Sequence, residues 1–339
     1  MTRWSDTIKV FSTCPPSNYF GSGEEYGRIV ADVARWSDDA GCEGMLVYTD
    51  NGLADPWLVA QRVIEQTPRL APLVAIQPVY THPYTIAKMV TSLAYLHGRR
   101  VYLNMVAGGF KNDLQALADE TPHDDRYARL IEYTTIIQQL LAGDGAVSFS
   151  GRFHRVTNLK LTPPLPPDLR PGVFVSGSSD AGRAAARQLG ATAVEYPQPA
   201  EAYALRPAAA DAPTGFRVGI VAREDGDEAW AVARARFPED RRGQIAHQLA
   251  MKISDSAWHA QLARTAKGAA TPDSPYWLHP FENYKTFCPY LVGSYDRVAA
   301  EIARYLAAGY RTIILDVPFS REELEHIARV LERAAARAA

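Results

Sequence analysis

Val173-Phe174-Val175-Ser176-Gly177-Ser178-Ser179-Asp180, followed at once by the alanine- and arginine-rich run Ala181–Leu189, sets the architecture of this chain. A short β-branched and aromatic run, a glycine with two serines, and a helix opened by Asp180 describe a strand that delivers its end to a helix N-terminus. Such a terminus exposes unpaired N–H groups and the positive end of the helix dipole, which suits a phosphate group. Gly177 allows close backbone approach, and Ser178 and Ser179 add hydroxyl donors. Ser178, Ser179 and Asp180 read equally as an ordinary helix cap.

Outward from this junction the same alternation repeats. Strands are read at Ile8–Ser12, Glu43–Tyr48, Leu73–Gln77, Val101–Val106, Val173–Ser176, Ala191–Glu195, Phe216–Ala222 and Thr312–Val317. Helical spacing is read at Glu24–Ala40, Pro56–Gln66, Pro83–His97 and Tyr127–Leu141, from Asp227, and at Asp296–Ala308 and Glu322–Ala336. Pro56 stands in the first turn of its helix, and Gly41 and Gly98 close theirs. Ala146–Val156 reads as a small hairpin turning at Ser150-Gly151, and the proline-rich Thr162–Pro171 as loop. Eight short apolar strands separated by helices predict an α/β fold of the closed (β/α)8 type, a TIM barrel, in preference to an open doubly wound sheet. The 339 residues are read as one domain, residues 1–339, with an insertion at about 237–284 that is too long for a plain barrel connection.

Composition narrows the function. Hydrophobic residues make up 47 % and charged residues 22 %, enough for a sizeable core. A net charge of −2 offers no electrostatic case for nucleic acid or an anionic membrane. No apolar run reaches the roughly 18 residues of a spanning helix, and Met1–Asp6 lacks the layout of a signal peptide. Cys14, Cys42 and Cys288 are odd in number and widely spaced, which argues against a disulfide framework or zinc site and for a reducing cytoplasm.

Chemistry in such barrels sits where strands end and helices begin. The ends so collected are Cys14–Tyr19, Thr49–Asp55, Gln77–His82, Asn104–Phe110, Ser176–Ser179, Arg217–Arg223 and Asp316–Phe319. They are rich in Gly, Asn, Gln, Ser and aromatic residues and poor in paired carboxylates, a profile that suits a planar hydrogen-bonding cofactor better than a metal. Asn104 precedes Met105-Val106-Ala107-Gly108-Gly109; its amide both donates and accepts, as a flavin edge requires, or else caps a turn. Gly21-Ser22-Gly23 is out of phase with a dinucleotide fingerprint because the next glycine is Gly27, so no nicotinamide site of that type is inferred. His82, between Tyr80 and Tyr84, is a candidate acid or base or a structural residue at a helix start. His123, Asp124 and Asp125 read as caps for the following helix, and His247, His259 and His279 lack metal-ligand spacing. Arg217 and Arg223 share one face of the seventh strand and need an anionic partner: a substrate, a phosphate or an ion pair.

Five motifs then fall in order: Asp55-Pro56-Trp57-Leu58-Val59-Ala60, Asn104-Met105-Val106-Ala107-Gly108, Asp125-Arg126-Tyr127, Gly177-Ser178-Ser179-Asp180 and Asp227-Glu228-Ala229-Trp230. In order and spacing the chain resembles the bacterial-luciferase-like flavin monooxygenases, nearest to the alkanesulfonate monooxygenase branch, from about residue 8 to 335. The resemblance implies a barrel that takes FMN as FMNH2, with O2 as co-substrate, the flavin arriving reduced from a separate NAD(P)H:flavin reductase. It implies oxygenation of a small organic or carrier-protein-bound substrate through a C4a-(hydro)peroxyflavin, by a cytoplasmic homo-oligomer. The phosphate contacts map onto Tyr127, Ser178 and Ser179 and the ring contact onto Asn104; Gln77, Ala107 and Gly177 complete the cofactor candidates.

His82 and Arg217 are the catalytic candidates, His82 for tuning the peroxide's proton. Tyr284, Lys285 and Phe287, in the basic aromatic segment Tyr284–Tyr290, are the substrate or lid candidates, joined by Tyr276, Trp277 and Phe281. Departures matter as well. The branch's cysteine, strand-seven histidine and late tyrosine align with Leu53, Gly219 and Val317, whereas its strand-seven arginine is kept as Arg217. These losses point away from a sulfonate substrate. The same fold also admits an F420-dependent dehydrogenase or a non-catalytic flavin-binding subunit; no metal site is expected.

Overall fold

The computed structural model describes residues 8–108, 111–203, 213–253 and 274–338. Gly109, Phe110 and His259 lie outside the described residues. The strands are β1 (Lys9–Thr13), β2 (Gly44–Val47), β3 (Ala71–Ile76), β4 (Tyr102–Val106), a hairpin of β5 (Val147–Ser150) and β6 (Arg155–Leu159), β7 (Val173–Ser176), β8 (Thr192–Glu195), β9 (Thr214–Arg223), β10 (Tyr276–Trp277), β11 (Tyr290–Ser294) and β12 (Tyr310–Leu315). The helices are α1 (Gly23–Ala40), α2 (Pro56–Gln66), α3 (Pro83–His97), α4 (Lys111–Ala116), α5 (His123–Ala142), α6 (Asp180–Gln188), α7 (Gly226–Arg236), α8 (Arg241–Ile253), α9 (His279–Glu282), α10 (Tyr295–Ala307) and α11 (Arg321–Ala338).

Strand order runs β9-β12-β1-β2-β3-β4-β7-β8, and β8 pairs again with β9. The eight strands therefore close into the (β/α)8 barrel that the sequence predicts. Every residue of β2 and β3 is buried, as expected of parallel strands covered on both faces. Strand β9 is longer than its neighbours. Its first half pairs with β12, and Gly219–Arg223 pair in parallel with β11, to which β10 adds antiparallel.

The chain divides into two compact units. One comprises Cys14–Ala34 and Gly44–Ala193. Its core packs Val74, Leu103, Met105 and Val175 of the strands against Leu130, Tyr133, Ile136 and Ile137 of α5. Each such side chain removed from water contributes about 1.5–3 kcal/mol. Helix α3 stops where Gly98 turns left-handed (φ 62°) and returns its N–H to Ala94 O at 2.8 Å. Helix α5 begins earlier than its apolar spacing suggests. Pro122 occupies its N-cap with no side-chain bond, so His123, Asp124 and Asp125 do not cap it from outside but form its first turn. Asp125 instead holds Arg152 through two bonds of 2.7 and 2.8 Å.

The other unit comprises the described residues of Met1–Thr13, Arg35–Glu43 and Val194–Ala339. Tyr310 packs edge to face on Phe216 and Tyr305 in its core, with centroids 5.4 and 6.3 Å apart, and Phe216 lies tilted against Tyr305 at 5.0 Å. Of the insertion, α8, β10 and α9 are described, and β10 ties it to β11.

Candidate functional site

In the first unit the site grows from the β7–α6 junction. Ser179, not Asp180, is the N-cap: its Oγ accepts from Gly182 N at 3.1 Å. Tyr127 of α5 presses its hydroxyl against the turn. A Cβ on Gly177 would stand 2.2 Å from Tyr127 Oη, and one on Gly182 would stand 3.1 Å from it and 3.0 Å from Gly177 O. Only glycine fits there. Burial raises the Tyr127 pKa, opposed by its hydrogen bond with Ser179, so the phenol keeps its proton. Ser178 is 8 % exposed, yet its Oγ has no partner among the described residues. A buried hydroxyl left unsatisfied is uncommon and calls for a ligand or a water.

One residue before Tyr127, a second unmet demand appears. Arg126 is 5 % exposed; its Nη1 donates to Thr121 O at 3.0 Å, and its Nε has no partner among the described residues. The nearby carboxylate is already taken. Asp119 accepts from Arg129 at 2.6 and 3.1 Å and from Thr121 Oγ1 at 2.6 Å. Burial works to raise the Asp119 pKa, but those bonds outweigh it and bring it to about 2. Arg126 therefore keeps a buried positive charge in the first turn of α5, the end of a helix least hospitable to a cation.

Beside the turn, the ends of β4 and β7 are joined by Ser176 Oγ donating to Asn104 Oδ1 at 2.8 Å. That leaves the Asn104 amide nitrogen as a donor. Gln77, just past β3, donates to Tyr80 Oη at 3.3 Å, and Tyr80 donates to Asn51 Oδ1 at 2.7 Å. Burial, then the carboxylates of Asp113 and Asp50, push the Tyr80 phenol up to about 12. Ala107 is buried. His82 is exposed and caps α3, its Nδ1 accepting from Tyr84 N at 3.1 Å. The neutral ring then carries its proton on Nε2. Leu53 lines a small cleft with Cys14, Pro16, Tyr26, Tyr48 and Val59. Burial pushes the Cys14 thiol up to about 12, so it is no thiolate nucleophile.

In the second unit, Arg217 has found its anion within the protein. Its Nη2 donates to Asp316 Oδ1 at 2.9 Å and its Nη1 to Tyr196 Oη at 3.4 Å. Asp316 Oδ2 accepts from Thr286 Oγ1 at 2.6 Å and Tyr290 Oη at 2.8 Å. Burial alone would raise the Asp316 pKa; the Arg217 charge and these hydroxyls hold it below the usual carboxylate range. Tyr290 also explains Gly219, since a Cβ there would lie 2.2 to 2.4 Å from the Tyr290 ring. Lys285 pairs with Asp240 at 2.6 Å. Arg223 bonds Glu323, which Arg236 also meets at 3.0 Å. Phe287 and Tyr284 pack edge to face at 5.7 Å, and His247 lies against Phe281 at 4.5 Å. Tyr276 and Phe281 are buried, with Tyr276 Oη bonded to Pro197 O at 2.7 Å.

Sequence reasoning missed Arg126, Thr286, Tyr290 and Asp316. Arg126 lay inside a quoted motif and Asp316 at a collected strand end, but neither signal reveals burial or partner. Among the described residues no group of three or more His, Cys, Asp or Glu is placed to hold a metal, and no helix is long and apolar enough to cross a membrane.

A barrel with polar side chains at the carboxyl ends of its strands, and a buried serine hydroxyl left without a partner among the described residues at the turn after one of them, defines a cofactor-dependent barrel enzyme. Residues 8–312 match the profile described as luciferase-like monooxygenase, and the chain belongs to that family: it is a flavin-dependent monooxygenase. It is 34 % identical over 333 residues to the 4-(gamma-L-glutamylamino)butanoyl-[BtrI acyl-carrier protein] monooxygenase BtrO of Niallia circulans, covering 96 % of this chain and 97 % of the relative. Its fold is similar to that of the riboflavin lyase RcaE (TM-score 0.76, 17 % identity, 98 % and 93 % of the two chains). It is also similar to the EDTA monooxygenase EmoA of Chelativorans sp. BNC1 (TM-score 0.71, 14 % identity, 97 % and 94 %).

Proposed function

We propose that the chain is the oxygenase of a two-component system, receiving FMNH2 from a separate NAD(P)H:flavin reductase and oxygenating an acyl group tethered to a carrier protein. The observation that carries the cofactor reading is a pair of unmet demands, one in the turn that Tyr127 presses on and one on the residue that precedes Tyr127. The unpartnered Ser178 hydroxyl and the buried Arg126 guanidinium, with the Tyr127 phenol as donor, fit the dianionic phosphate of FMN. Asn104 and Gln77 would meet the ring edge with amide groups. Bound reduced FMN would supply the two electrons with which O2 is divided between product and water. This chain's residues bind, orient and keep water away. The carrier-bound substrate rests on BtrO, whose name specifies an acyl-carrier-protein substrate.

The test compares FMN with riboflavin, which lacks the phosphate. The wild-type protein should prefer FMN, and Arg126→Gln should weaken FMN by about tenfold or more while leaving riboflavin unchanged. The ligand-free Arg126→Gln protein should melt no lower than wild type, because it loses an uncompensated buried charge. Equal weakening of both flavins, or F420 binding with none of FMN, would replace this reading.

His82, with Nε2–H exposed and its ring fixed by the cap, is the proposed proton-handling group. Its replacement by Asn preserves a cap acceptor, so the fold should hold while peroxide release rises against product. Full coupling in that variant removes His82 from the mechanism. A homo-oligomer is proposed from the outward apolar residues of α2 and α3, Leu58 (70 % exposed), Met89, Tyr95 (75 %) and Leu96; a solution mass of one chain would contradict it. The cytoplasm, where reduced nicotinamides are made and thiols such as the three free cysteines persist, is the proposed compartment.

A further inference from the structure

Arg217, Arg223 and Lys285 are the cations that the sequence offers to an anionic substrate in the second unit. Each already faces a carboxylate: Asp316 at 2.9 Å for Arg217, Glu323 for Arg223, and Asp240 at 2.6 Å for Lys285. The Asp316 pairing is built, not incidental. Arg217 and Asp316 side chains are 6 % and 11 % exposed, and the second carboxylate oxygen is filled by Thr286 and Tyr290, residues from a different segment. With one oxygen on the guanidinium and the other on two hydroxyls, the carboxylate has little capacity left for a ligand. It also remains ionised and cancels the Arg217 charge in the first half of β9, beside the residues that directly follow β8 and β12. An anion brought there would meet a neutral pair instead of an unopposed cation, so nothing would offset the cost of stripping its water in a poorly solvated place.

We infer that Asp316 is an internal counter-ion that determines specificity: it occupies the anion subsite of Arg217, so the group accepted there is an uncharged acyl amide or thioester rather than a sulfonate or carboxylate. Calling that group the substrate rests on the monooxygenase reading above; the charge selection does not, and its test needs neither flavin nor turnover.

The probe is 1-propanesulfonate, titrated calorimetrically into ligand-free protein, with melting temperature followed in parallel. Wild type should show neither heat of binding nor stabilisation beyond that of an equal concentration of sodium chloride. Asp316→Asn keeps the shape and removes the carboxylate charge that cancels Arg217, and should bind the sulfonate at least about tenfold tighter than wild type, as a charge-assisted hydrogen bond to the guanidinium requires. The Arg217→Gln/Asp316→Asn double variant should lose that gain. Wild-type binding as tight as that of Asp316→Asn overturns the inference, as does a folded Asp316→Asn protein that gains nothing. Should Asp316→Asn not fold, the wild-type titration still decides: specific sulfonate binding with stabilisation sinks the idea, and its absence together with binding of butanamide supports it.

Discussion

Gly177→Ala is expected to abolish tight FMN binding and to destabilise the ligand-free protein. The new methyl would stand 2.2 Å from Tyr127 Oη, and Tyr127 is locked in the first-unit core by α5. Neither partner is a flexible tip able to swing away. The β7–α6 turn must shift or the phenol must leave, and overpacking of this kind costs about 1–3 kcal/mol. Because Gly177 also has a φ of 156°, relaxation through the backbone is restricted. The affinity for FMN should fall by about tenfold for every 1.4 kcal/mol of misplacement that binding must reverse. Ser178→Ala provides the contrast. It removes a hydroxyl that has no partner in the ligand-free protein, so stability should hold or rise while FMN affinity drops. Fluorescence titration with FMN and urea unfolding of both variants check the pair; equal behaviour of the two would refute the assigned roles.

The largest loss of stability is expected from Arg217→Met. Breaking a buried pair by removing one member costs about 3–5 kcal/mol, because the abandoned charge stays inside. The pH dependence carries a sharper signature. In the wild type the Asp316 pKa is lowered on folding, so its contribution is present above the unfolded value of about 3.9 and is lost as pH falls through the folded value. Without Arg217 the dominant influence on Asp316 is burial, which raises the folded pKa above the unfolded one. The variant is then penalised most at neutral pH and recovers as acid protonates Asp316. Urea unfolding between about pH 7.5 and 5 should show the gap between variant and wild type narrowing on acidification. A constant gap would mean that Asp316 is not the charge left behind.

The barrel was legible because each of its strands is a short apolar run set off by a helix. What escaped notice were elements whose existence depends on tertiary pairing. Tyr290–Ser294 follows Pro289 and leads straight into α10, and it becomes β11 only because β9 extends past β12 and offers a free edge. The proposed cofactor cradle was visible for a similar reason: strand end, glycine, serines and helix are contiguous. Arg126 sits in a readable motif, but periodicity cannot tell that its guanidinium is buried while the carboxylate nearby serves Arg129. The Arg217 partner required three separated segments, residues 217, 286–290 and 316, to converge on one carboxylate. Sequence order keeps no record of that meeting.

The ring of Tyr290 lying over Gly219 has an evolutionary corollary. Any side chain introduced at position 219 would place its Cβ 2.2 to 2.4 Å from that ring, and trimming residue 290 alone strips Asp316 of a donor. Neither change is tolerable by itself, so the two sites should be exchanged together or not at all. Directed-evolution libraries that vary one codon at a time will therefore stall at this locus, whereas saturating both positions jointly opens the route to altered substrate scope.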